Sequence, residues 1–198
     1  MVIIEKLYQE KIKISIQEID RLSVLADQLL LLARFDSETS AIRREKVSLF
    51  PLVDNTLKRY QSIIDEKAQS IKVEIDPNLE VNAAPYYLDL IIENILTNAI
   101  KYSPQGKEIS IRAWSEDHQI RLAISDEGIG ISPEHLEQIF HPFFRSKALE
   151  HKNIKGNGLG LSIVKKACDA LGIKIKVEST LGEGTRFYLD FPSILSKS

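Results

Sequence analysis

The stretch from Leu88 to Pro104, LDLIIENILTNAIKYSP, constrains the chain more than any other. Leu88, Ile91, Ile92, Ile95, Leu96 and Ala99 recur at steps of three and four, the period of an α-helix with one apolar stripe. Asn94, Asn98 and Lys101 keep the same period and fall roughly 130° round the axis from that stripe. Such a helix buries one face in a core and leaves the other to solvent or to a ligand. Two carboxamides and an ammonium suit a divalent cation with a polyphosphate, because an amide oxygen is a hard ligand for Mg2+ and lysine answers phosphate charge. A solvated polar face on a core-packed helix fits the same spacing.

The remaining residues give this helix a core to pack on. The 198 residues suffice for one large or two small domains, and 43% hydrophobic with 27% charged residues is ordinary globular composition. A net charge of −2 gives no general footprint for nucleic acid or an anionic membrane. The longest wholly apolar run, Leu29 to Ala33, falls far short of the ~20 residues that span a bilayer, and no signal-peptide pattern is present. Cys168, the single cysteine, has no intrachain disulfide partner and fits a reducing compartment. Its apolar neighbours favour a small core residue over a reactive thiol.

Residues 4–35 carry one long helical pattern. Ile12, Ile19, Ala26 and Ala33 fall at heptad a positions and Leu22 and Leu29 at d, widened by Leu25, Leu30 and Leu32. That stripe suits a four-helix bundle and needs a partner face, which a second chain or the rest of this one would provide. Residues 36–44 are polar and aperiodic, a linker. Short strands are expected at 45–49, 71–75 and 80–82, with a helix from Pro51 to about Lys67. Residues 108–114 and 119–125 form a hairpin across Ser115 to His118, and Trp114 reads as core. Pro133 starts a short helix to Ile139. Residues 141–157 are aperiodic and charged, and read as a mobile lid. A helix from Leu159 to Leu171 ends at Gly172, and strands follow at 173–179 and 185–191. The order predicts an α+β fold, a two-layer α/β sandwich with helices on one face of a mixed sheet. The divisions expected are 1–36 for the bundle helix, 37–46 for the linker and 47–198 for the globular domain.

Three further segments carry candidate chemistry. Asp126 ends a strand and precedes Gly128 and Gly130; a buried carboxylate there can accept from the exocyclic amine of adenine, and glycines let backbone pass close to a flat base. An ordinary turn gives the same sequence. Residues 156–161, GNGLGL, have neither the GxGxxG spacing nor the preceding strand of a dinucleotide fold, and the chain has no GxxxxGK[ST] run. A glycine-rich turn feeding a helix N-terminus remains, a place for phosphate or simply a hinge. Phe140, Phe143 and Phe144 read as core at the base of a loop.

In this order and spacing, the asparagine helix, residues 126–130 (DEGIG), residues 140–145 (FHPFFR), GNGLGL and residues 182–185 (GEGT) resemble the ATP-binding domain of sensor histidine kinases. That domain shares a superfamily, the Bergerat fold, with type II topoisomerases, mismatch-repair ATPases and a chaperone ATPase. The likeness covers about Val47 to Pro192, and residues 15–37 resemble the second helix of the kinase dimerisation hairpin. The resemblance implies transfer of the ATP γ-phosphoryl to a histidine, and onward to the aspartate of a response regulator receiver domain. It implies Mg2+ on Asn98 and Asn94, and Lys101 and Arg145 on phosphates. Nucleotide contacts fall to Tyr102, Asp126, Gly128, Gly130, Gly156, Gly158, Leu159, Gly160, Leu161 and Thr185. Phe140, Phe143 and Phe144 become an aromatic anchor for the lid, with Lys147 beside the triphosphate and Lys152 and Lys155 solvated. It further implies a homodimeric parent anchored in a bacterial membrane, with this region cytoplasmic and touching neither membrane nor nucleic acid.

The acceptor histidine of that family lies on the first bundle helix, followed by an acid. None of His118, His135, His141 and His151 has that setting, so the chain is expected to bind ATP without phosphorylating itself. Rival readings are an ATP hydrolase of the superfamily, a serine kinase of an anti-sigma type, and an interaction module without nucleotide. The first lacks its water-activating glutamate, because Asn94 holds that position and a carboxamide is no general base.

Overall fold

The computed structural model describes residues 2–37, 42–117, 119–146 and 156–192. Lys147, Lys152, Lys155, His118 and His151, residues 38–41 of the expected linker and most of the expected lid lie outside them. The chain divides into two compact units, Met1–Thr39 and Ser40–Ser198. The first is a single helix, α1 (Val2–Ser37). Ile12, Ile19, Leu22, Leu29 and Leu30 of the heptad stripe stand exposed along it, and so do Ile14, Ile16 and Val24. No helix among the described residues is long and apolar enough to cross a membrane.

The second unit runs β1 (Glu45–Ser48), α2 (Leu49–Glu66), β2 (Ser70–Ile75), β3 (Glu80–Ala83), α3 (Pro85–Tyr102), β4 (Glu108–Glu116), β5 (Gln119–Asp126), α4 (Gly160–Leu171), β6 (Lys174–Thr180) and β7 (Gly184–Asp190). Strand β1 begins two residues ahead of the expected domain start. Five strands form one sheet in the order β2-β4-β5-β7-β6, parallel only between β2 and β4, while β1 and β3 pair separately. The crossover between β2 and β4 contains α3. One sheet face presents Ile109, Ile111, Leu122, Ile124 and Leu189 to α2, α3 and α4, and these side chains are buried. The other face is solvated and laced with charge: Arg121 pairs with Glu116 at 2.7 Å and Asp190 at 3.0 Å, and Lys176 with Glu178 at 2.6 Å. This is the α+β sandwich that the sequence predicts.

Three expectations are corrected. Trp114 is not core. It shares the solvated face with Arg112, whose guanidinium carbon lies 5.4 Å from its ring centre, because the buried phase of β4 falls on Ile109, Ile111 and Ala113. The helix expected from Pro133 to Ile139 is two 3-10 turns, Pro133–His135 and Gln138–Phe140. Phe143 is 57% exposed and sits at φ +64, so it is no core residue. Cys168 is buried as expected, and burial pushes its thiol up to about 12, which leaves it inert at neutral pH.

The C-terminus of α3 would leave bare carbonyls, and the turn between α2 and β2 covers them. Gln69 Nε2 donates to the carbonyls of Ile100 at 3.1 Å and Ser103 at 3.0 Å, and Lys67 Nζ reaches Ile100, Lys101 and Ser103. Gln69→Leu keeps the volume and removes the donor. We expect a loss of about 1–3 kcal/mol, read as a lower urea midpoint at unchanged slope by Trp114 fluorescence. An unchanged midpoint would show that Lys67 alone caps the helix.

Candidate functional site

Burial of Leu88, Ile91, Ile92, Ile95, Leu96 and Ala99, each 0–2% exposed, fixes the rotation of α3. Asn94, Asn98 and Lys101 are thereby turned away from the core. Asn94 donates through Nδ2 to the Leu90 carbonyl at 2.8 Å. Its Oδ1 lies 2.7 Å from where a Cβ on Gly160 would stand. Gly160 is thus a packing glycine, letting the N-terminus of α4 rest on Asn94. Asn98, one turn on, makes no hydrogen bond through its carboxamide among the described residues, so its oxygen is available. Among those residues no group of three or more His, Cys, Asp or Glu is placed to hold a metal ion. A divalent ion would fit here with Asn98 as a protein ligand and phosphate or water oxygens completing its shell, the usual manner of Mg2+. Lys101 is lowered from the ordinary lysine value by desolvation, with Glu93 pulling the other way.

Asp126 closes β5 opposite Thr185 of β7. Its Oδ1 accepts from the Gly128 N–H at 2.8 Å. Burial pushes its carboxyl up to about 6, against the N–H groups of Gly128 and Thr185, which favour the anion. Two glycines are required by close approach. A Cβ on Gly184, at φ +127, would run into the Asp126 carbonyl, and one on Gly130, at φ +68, into that of Thr180. Gly128 packs against Asp126 and the Tyr102 carbonyl, which accepts from Ile129 N–H at 3.2 Å. The loop after β5 is therefore tied to the end of α3. Thr185 is 8% exposed.

The two described ends of the expected lid are pinned to each other. Phe143 N–H donates to the Gly158 carbonyl at 3.0 Å, and Arg145 Nη1 to that of Gly156 at 2.9 Å. Arg145 also lies near the Tyr102 phenol, whose proton affinity burial raises and Arg145 lowers. The Phe144 ring tilts on His135 at 5.3 Å. Leu159 is fully buried and its N–H donates to Asn157 Oδ1 at 3.2 Å. Gly160 opens α4 and Leu161 follows. No side chain caps this terminus, so its first N–H groups are open to an anion.

The structure thus brings Asn94 against the α4 terminus and Tyr102 beside Arg145 of the lid stem and the loop after Asp126, with Asn98 and Lys101 on the same face of α3. Glu93, next to Asn94, proves to be tethered elsewhere: the Tyr60 hydroxyl of α2 donates to it at 2.5 Å and Arg59 lies 3.8 Å away. Ser179 of β6, which the sequence reading passed over, faces Thr185 across the hairpin. A hydroxyl just before the TLGEG turn, paired in register with another, was the available signal.

A raised Asp126 carboxyl makes stability depend on pH with a definite sign. The folded state holds the proton more tightly than the unfolded chain, so this contribution is present below about pH 4 and lost as pH rises through about 6. The difference is about 3 kcal/mol. Urea denaturation of ligand-free protein at pH 4 and pH 7 should show Asp126→Asn gaining on wild type by about that much toward pH 7. An equal pH dependence in both would mean that the carboxyl is not desolvated.

Comparison with known proteins matches residues 83–194 to the model of the histidine kinase-, DNA gyrase B- and HSP90-like ATPases. The sensor histidine kinase GraS of Staphylococcus haemolyticus (strain JCSC1435) is 36% identical over 172 residues, which cover 87% of this chain and 49% of that protein. The chain therefore spans about half the length of this relative. Full-length ShkA in complex with AMPPNP superposes with a TM-score of 0.77 at 25% identity, over 87% of this chain and 36% of that one. The nucleotide-free catalytic domain of the histidine kinase ThkA superposes at 0.66 with 26% identity, over 76% of this chain and 95% of that domain.

Proposed function

The chain belongs to the histidine kinase-, DNA gyrase B- and HSP90-like ATPase family, and from that premise we propose that it is the ATP-binding catalytic region of a sensor histidine kinase. The observation that carries this is the free Asn98 carboxamide on the polar face of α3, one helical turn from Asn94 and the α4 terminus and on the same face as Lys101. The AMPPNP complex of ShkA and the kinase names of the relatives agree with it.

Residue roles follow from chemistry. Asp126 accepts from the adenine amine, and Thr185 stands beside it at the same edge. Tyr102, Gly128 and Gly130 bound the base. Gly156, Gly158, Leu159, Gly160 and Leu161 offer backbone N–H groups to the phosphates, which Lys101 and Arg145 also meet. Asn98 is a ligand for Mg2+, with Asn94 holding the α4 terminus in place and adding its own oxygen if that terminus shifts. An Mg2+ ion held by Asn98 would supply charge neutralisation to the triphosphate. The chain's own share is placement: a fixed triphosphate, water excluded and no proton moved by its side chains. The acceptor is a histidine of the bundle helix pair, from which a response regulator takes the phosphoryl group. The α1 stripe serves a homodimer, with 1–36 as bundle helix, 37–46 as linker and 47–198 as catalytic domain. The region works in the cytoplasm of a bacterium, its parent anchored in the membrane.

Calorimetric titration with ATP tests the site. Asn98→Ala should lose about tenfold or more with Mg2+ present, an amount near 1.4 kcal/mol, and much less with EDTA. Equal losses in both would remove the metal role. Incubation of the chain with γ-labelled ATP should yield no acid-labile label on its own histidines, whereas a separately supplied dimerisation hairpin becomes labelled. His135 is held by Ser132 Oγ at 2.9 Å and by Phe144, and no acid follows it. Stoichiometric label on any of the four histidines would overturn this part.

A further inference from the structure

Ser179 stands at a junction of three bonds. Its Oγ lies 2.8 Å from Ile131 N, 2.7 Å from the Gly184 carbonyl oxygen and 3.0 Å from Thr185 Oγ1. The proton count leaves one arrangement. Ile131 N–H only donates, so it takes one lone pair of Oγ. The Gly184 carbonyl only accepts, and two acceptors at that distance would repel, so the single Ser179 proton goes to it. The remaining lone pair faces Thr185, and the Thr185 hydroxyl must then be the donor. Its proton is spent inward, and its oxygen turns only lone pairs toward the neighbouring Asp126 carboxylate edge.

Resting on the ATP-binding reading above, we infer that Ser179 is a specificity-determining positioning residue: it holds the Thr185 hydroxyl as an acceptor, so that Asp126 and Thr185 together form a wall of acceptors selective for an exocyclic amine. A 6-amino purine presents two N–H donors to such a wall, and a base without them leaves it unpaired. The same serine ties the loop after β5 to the β6–β7 hairpin, where Gly182 N–H also donates to the Ile129 carbonyl at 2.8 Å. A purely structural role in that clasp is therefore the alternative that the test must separate.

The test compares ATP with purine riboside triphosphate, which lacks only the 6-amino group, by titration against the 198-residue chain. Wild type should prefer ATP. Ser179→Ala leaves the Thr185 proton free to turn outward, and should weaken ATP about 5–10-fold more than it weakens the analogue. Ser179→Thr, which keeps the hydroxyl, should restore the preference. Thr185→Val should lose the same part of the preference, and adding Ser179→Ala to it should change the ratio no further. If Ser179→Ala does not fold, Ser179→Cys supplies a weak donor at similar volume and should give an intermediate ratio. Equal weakening of both ligands, or an unchanged ratio in the folded variant, would overturn the inference while leaving the ATP site standing. Failure of wild type to bind ATP would overturn the site and this inference together.

Discussion

Helix α3 buries one side completely, and the rest of the molecule follows from that. Its aliphatic stripe lies against the sheet at 0–2% exposure. At about 25 cal/mol per Å2 of buried apolar surface, rotating the stripe outward would cost more than any polar interaction on the opposite side could return. Asn94, Asn98 and Lys101 therefore have no freedom to join the core. The packing also sets what surrounds them. Gly160 lets the α4 terminus settle on Asn94, and the Tyr102 carbonyl receives the loop that follows Asp126. One buried face thus positions two segments distant from it in sequence, the α4 terminus and the loop after β5.

The electrostatics of the site follow from the same enclosure. Asp126 is pushed toward its neutral form and so is Lys101, both chiefly by desolvation. Neither relieves the other, for no ion pair joins them. On the solvated face of the sheet the opposite holds: Lys72 with Glu74 and Lys176 with Glu178 pair in water, and each lysine is raised and each glutamate lowered by its partner. Those exposed pairs are worth little. The shifted groups of the site are the informative ones: desolvation outweighs the Gly128 and Thr185 N–H groups at Asp126 and the pull of Glu93 at Lys101, and perturbed groups collect at functional sites. A hydrogen-bond donor for the acid at one end and negative charge for the ammonium at the other are what the proposed nucleotide offers.

How much of this was legible depended on whether a residue acts through its own element or through another. The α3 face was legible because both stripes share a single period. Asp126 was legible because a strand end followed by two glycines is a local signal. Trp114 was misread because strand periodicity fixes which residues share a face and not which face is buried; only the phase set by Ile109 and Ile111 decides that. Phe143 was misread because aromatic residues in a cluster are assigned to cores, while here the left-handed backbone at Phe143 turns its ring outward and gives its N–H to Gly158. Ser179 was missed because its three partners lie on β7 and on the loop after β5, and only its register opposite Thr185 across the hairpin announces any of them.

Glu93 separates the phosphoryl-transfer reading from hydrolysis. A hydrolase needs a carboxylate within reach of the attacking water. The position one turn before Asn98 holds Asn94, whose amide is already bonded to Leu90. Glu93 is the carboxylate next to it, but it points about 100° further round the helix. Its oxygens face the Tyr60 hydroxyl and the Arg59 guanidinium, and Arg59 is itself anchored on Asp89 at 2.9 Å. Tyr60 is pushed up to about 12 by burial and by this carboxylate, so it remains a donor to Glu93 throughout the neutral range. Freeing Glu93 to act as a base would break that bond and strand a half-buried phenol. The network that locks α2 to α3 thus ties up Glu93, the acid beside Asn94, and a site without a free base suits the proposed role of holding a triphosphate for another nucleophile while sparing it from water.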